Sequence, residues 1–263
     1  ASSVLDATTA FARPGGSSYT GGGLKLTSST NDGFTGTIKV GSQKVEVTQV
    51  NGLRKATIEM ARSDSFIYPS GATIGALTGS YDLTISRSLY VGNNDISNAY
   101  TGDLKGSAIL SKVGSGTWTL GGDGTHSGVV YLSEGRIRMQ NSGGYNTALK
   151  DSNLFLLVDD GLNMWNGNVN IGGLSNSGSL NLESGTLLID GNFHASHSGT
   201  IRGTGGIEIN TSGSQELDWS NTYSGGTRLL GGTLRCNAAG DLGHSSGGLV
   251  MGNAEFNVVD SHT

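Results

Sequence analysis

Apolar residues alternate with polar ones in short runs along most of this chain, as in Leu24/Leu26, Val45/Val47, Leu180/Leu182 and Ile207/Ile209. Gly-Ser, Asn-Gly and Asp-Gly turns punctuate the runs at intervals of roughly 8–12 residues, the period-2 signature of strands. No segment sustains an apolar face at helical spacing. Residues 147–158 come closest, but Asn153 interrupts them, and the run Leu154-Phe155-Leu156-Leu157-Val158 suits a buried strand better. The pattern predicts an all-β protein with almost no helix.

A phrase recurs on top of this alternation: an aromatic or His, then Ser or Thr, then Gly, with an apolar residue eleven positions after the first. It reads Phe34-Thr35-Gly36 leading to Val45, His126-Ser127-Gly128 leading to Ile137, and Tyr223-Ser224-Gly225 leading to Leu234, with starts 92 and 97 residues apart. Recurrence of this kind marks a stacked repeat architecture. A parallel β-helix with coils of about 20–25 residues would divide each interval into about four coils and the chain into about a dozen, each pairing with the next at about 4.8 Å. The competing solution is a β-sandwich or jelly roll. The solenoid accounts better for the even spacing of Gly and the scarcity of Pro and charge.

Composition narrows the picture. Of 263 residues 45 are Gly and only 2 are Pro, without the triplet period of collagen. The net charge of -5 comes with scattered basic residues, so the footprint of a nucleic-acid binder is missing. The longest purely apolar run is five residues, too short for a transmembrane helix. The single Cys236 can make no internal disulfide. The opening Ala-Ser-Ser-Val carries no signal peptide and reads as a mature or trimmed fragment.

Residues 106–137 and 213–252 carry a fuller pattern around the second and third phrases. Leu110, Lys112, Gly114, Gly116, Thr117, Leu120, Ser127, Gly128 and Gly135 fit it in one copy. Asn221, Tyr223, Ser224, Gly225, Gly226, Thr227, Gly232, Thr233 and Leu234 fit it in the other. This pattern resembles the passenger-associated repeat of bacterial autotransporters. His126 stands where an aromatic is usual, the second copy lacks the leading Lys-x-Gly-x-Gly, and the copy at Phe34 is degenerate. The resemblance implies a right-handed β-helix exported across the outer membrane and displayed at the cell surface or secreted. The outer-membrane barrel of that family is not in this sequence.

Candidate chemistry is sparse. Gly243-His244-Ser245-Ser246-Gly247 has the letters of a nucleophile elbow, but Gly248 to Asn253 read as strand and turn rather than the required helix. Asp159-Asp160, with His244, offers the best carboxylate candidate for a polysaccharide-cleaving β-helix. Adjacent strand residues nevertheless point to opposite faces, and Asp-Asp-Gly is also an ordinary turn. His194 and His197 lack the helix and the Glu that a metalloprotease needs. Trp118 and Trp219 fall within or beside the repeat phrase and are expected in buried or ladder positions. Trp165, in Asn163-Met164-Trp165-Asn166-Gly167, is the candidate ligand-binding aromatic.

The sequence therefore predicts an N-terminal cap over residues 1–20 and a β-helix passenger over 21–263, its native chain extending further. The expected role is structural or adhesive towards extracellular glycans or glycoproteins. The alternative is an extracellular hydrolase using carboxylates on one face. No cofactor, metal, nucleic acid or membrane insertion is expected, and an open last coil should favour end-to-end self-association.

Overall fold

The computed structural model describes residues 4–6, 17–19, 23–27, 33–140 and 143–258. Successive coils pair in parallel at offsets of roughly one coil length: Thr37↔Thr57, Leu110↔Val130, Leu154↔Leu174, Leu187↔Ile207 and Ile207↔Thr227. About 11 turns stack into a β-solenoid. The sandwich alternative is thereby displaced. Among the described residues there is no α-helix, and helical conformation is confined to short 3-10 turns such as Ala239–Leu242.

Each coil contributes to three ladders. The first runs through Leu89–Val91, Leu110–Lys112, Val129–Leu132 and residues 153–156, and ends at Glu255–Val258. The second runs through Thr37–Val40, residues 57–60, Thr117–Leu120, Arg136–Met139 and Leu162–Asn163. The third runs through Lys44–Val47, Leu83–Ile85, Leu104–Gly106, Thr186–Ile189 and residues 206–209, and ends at Leu249–Met251. Alternate residues point inward and stack on like residues of the next coil. Leu110, Val130, Leu154 and Leu174 are all fully buried in one such column, each worth roughly 2 kcal/mol of apolar burial.

The repeat phrase has a physical meaning in this frame. His126 and Tyr223 point into the core, and Phe34 packs against it. Lys112 of the phrase is buried too, and its Nζ donates to the carbonyls of Val113 at 2.7 Å, Gly114 at 2.6 Å and Glu134 at 3.3 Å. The cation thus pins a corner where carbonyls converge, which satisfies both sides of a costly burial.

The expected interval of about four coils needs correction. The strands after Phe34 lie on the second and third ladders, those after His126 on the first and second, and those after Tyr223 on the third and first. Each copy is thus displaced by two faces beyond four whole coils. The repeat is a strand–corner–strand unit, and any of the three corners accepts it.

Of the cap expected over residues 1–20, most lies outside the described residues. Val4–Asp6 joins the second ladder beside Thr37–Val40, and Ser17–Tyr19 pairs antiparallel with Gly23–Leu26.

Candidate ligand-binding site

The corner between the second and third ladders is built from stacked small residues. A Cβ on Gly185 would lie 1.9 Å from the carbonyl oxygen of Gly167, one on Gly205 2.0 Å from that of Gly185, and one on Gly225 2.5 Å from the carbonyl carbon of Gly205. Only glycine permits such close coil-to-coil approach. The corner is therefore low, and its outer surface is largely bare backbone.

A trough of about 260 Å³ runs along this corner, floored by Gly205, Gly206, Gly225 and Gly226. The hydroxyls of Ser184, Thr186 and Thr204 line it, together with Tyr145, Glu208 and Arg228. Register explains the convergence, since Thr186 pairs with Gly206 and Glu208 with Arg228 on adjacent rungs. Arg228 donates to Glu208 at 2.9 Å while remaining well exposed. Burial, reinforced by the Glu208 carboxylate, pushes the Tyr145 phenol above its ordinary pKa, so it stays a neutral donor.

Trp165 stands at the same corner one coil below Ser184, whose hydroxyl donates to Asn166 Oδ1 at 3.4 Å. Trp165 and Asn166 have φ of 49° and 55°, and Gly167 N–H donates to the Met164 carbonyl at 2.9 Å. Two successive left-handed residues closed in this way match a type I′ turn, which favours Asn and Gly and is unfavourable for a bulky ring. The ring is 53% exposed. The Arg138 guanidinium lies over it, 5.2 Å from the centroid, a cation–π contact. Glu183 holds the turn by accepting from Asn163 Nδ2 at 3.1 Å and from the Asn166 amide.

The other sequence candidates have structural partners. Asp159 Oδ1 accepts the Ser179 amide at 2.7 Å, and this bond lowers its pKa. Asp64, Asp95 and Asp103 make the same bond to the coil above, at Thr84, Ser115 and Asp123. Asp160 forms a bidentate pair with Arg202 at 2.7 and 2.6 Å, two coils away. His244 Nδ1 lies 2.8 Å from Ser246 Oγ on an exposed turn, and the strand Leu249–Met251 comes next instead of a helix. Trp118 is buried as expected, whereas Trp219 is exposed. The fold brings Asp160 and Trp165 to one stretch of the second ladder but places no second carboxylate beside Asp159 or Asp160 in these contacts. The trough lining likewise holds one carboxylate, Glu208, already ion-paired. Among the described residues no cluster of three metal-ligating side chains forms, and no helix is long and apolar enough to cross a membrane.

Sequence reasoning missed Tyr145, Glu208 and Arg228. The one available signal was the 20-residue separation of Glu208 and Arg228, which equals a coil.

Solenoid and repeat together define the class. Residues 110–139 and 212–235 match the passenger-associated-transport-repeat family, so the chain carries the repeat of autotransporter passengers, which are displayed at the cell surface or secreted. Over 203 residues it is 26% identical to the adhesin BmaC autotransporter of Brucella suis biovar 1 (strain 1330), an alignment covering 69% of this chain and 6% of that protein. The chain thus spans a small fraction of that relative's length. No solved structure matches the chain.

Proposed function

We propose that this protein is an adhesive passenger that binds extended glycan chains of extracellular glycoproteins along the corner trough, with Trp165 as its stacking platform. One observation carries the reading: a large aromatic side chain sits exposed on a turn whose backbone disfavours it. Asn or Gly would serve the turn better, so the ring's use lies on its outer face. An indole face covers the C–H face of a sugar ring. The hydroxyls of Ser184, Thr186 and Thr204 and the spare donors of Arg228 suit hydroxyl-rich ligands. The aligned relative is named an adhesin, which agrees in kind.

The test is a glycan array probed with the wild-type protein and with Trp165→Asn. Binding to a subset of glycans, weakened at least tenfold in the variant, is the expected result. Equal binding by both proteins, or no binding to any glycan, would overturn the assignment.

A further inference from the structure

The third ladder is broken between residues 66–67 and 83–85. Phe66–Ile67 pairs with Lys44–Val47, and Leu83–Ile85 pairs with Leu104–Gly106, but these two sets of strands belong to separate sheets. Asp64 stands beside the break at φ 50°; its N–H donates to the Asp82 carbonyl at 3.1 Å, and its Oδ1 accepts the Thr84 amide at 2.7 Å. A cavity of about 420 Å³ opens at this break, between residues 66–68 and 84–87.

The chemistry of this cavity is mixed. Phe66 and Tyr68 form its floor, their rings 5.3 Å apart, and Ile67 presents an exposed aliphatic surface. The Tyr68 hydroxyl donates to the Arg87 carbonyl at 3.4 Å and fixes the backbone that carries the Arg87 side chain. Among the described residues the exposed Arg87 side chain forms no ion pair. Within those same residues, the hydroxyls of Thr84 and Ser86 and the second oxygen of Asp64 carry no intramolecular bond.

We infer that this break in the ladder is a second binding site, separate from the corner trough, for a carboxylate-bearing sugar such as a uronic acid unit. A free guanidinium beside a half-apolar cavity matches a carboxylate in bidentate fashion. The unengaged hydroxyls and the Asp64 oxygen match ring hydroxyls, and Ile67 matches the C–H face of a pyranose. A neutral sugar would leave Arg87 unused.

The experiment is ligand-observed saturation-transfer NMR on the intact chain, with glucuronate and glucose as probes. Arg87→Gln is exposed and leaves the core untouched; circular dichroism checks that it folds. Glucuronate should bind the wild type at least tenfold more tightly than glucose. Arg87→Gln should lose that preference, and Trp165→Asn should keep it. Absence of transfer to glucuronate, or equal transfer in wild type and Arg87→Gln, overturns the site. Loss of the preference in Trp165→Asn alone would place the bound acid in the trough instead and equally overturns it.

Discussion

His197 shows how one residue can set the acid tolerance of the whole coil stack. It faces the core on the first ladder, almost fully buried, and neither ring nitrogen has a partner in hydrogen-bonding geometry. Burial holds its pKa down at about 4, against which nearby backbone groups of Ser175 and Asn176 pull only slightly. The unfolded chain binds this proton near pH 6.5, so the folded state binds fewer protons between the two values. Stability from neutral His197 is complete above about pH 6.5 and is lost as pH falls towards 4, on the order of 3 kcal/mol in all. Urea titrations at pH 7.5 and 4.5 should show that loss, and His197→Leu should remove a large part of it. Trp165 makes the opposite trade. Trp165→Asn should leave stability unchanged or raise it by up to about 1 kcal/mol, because relief of the left-handed strain offsets the lost cation–π contact. A large fall in melting temperature would mean that the ring serves the fold. Cys236, by contrast, is inert: burial pushes its thiol up to about 12.

At the scale of elements, the strands are interchangeable and the corners are not. A ladder tolerates Tyr131 beside Phe155, or Glu208 beside Arg228, because outward positions answer only to their neighbours on adjacent rungs. The glycine corner has no such latitude. Gly205→Ala places a methyl 2.0 Å from the Gly185 carbonyl oxygen, so neighbouring coils must separate, at a cost of about 2–3 kcal/mol by analogy with overpacked cores. Chemical denaturation should register this. The same substitution should also weaken glycan binding, since Gly205 is part of the trough floor. Alternation, turn residues and the repeat phrase made the strands readable in sequence. The trough was not readable, because Tyr145 and Arg228 lie 83 residues apart and meet only through four stacked coils.

For the whole molecule, each coil leans mainly on its neighbours, so a change in one coil is felt chiefly by the two beside it. Leu249 and Met251 follow the inward columns of Thr227 and Leu229, yet they are exposed along with Val250 and Val258.

The sequence by itself determined the all-β class, the parallel stacking, the glycine corners and the passenger repeat. These are periodic properties, written locally in every coil and legible without knowing which coil touches which. Tertiary structure alone decided which face each repeat copy occupies, that Asp159 and Asp160 hold the coils together, and where the trough and the break in the ladder open. The reason is register. Coil length varies by several residues, with a 17-residue offset between Ala72 and Leu89 but 25 between Ile137 and Leu162. Small local differences add up along the stack, and only the folded chain shows which side chains they bring together.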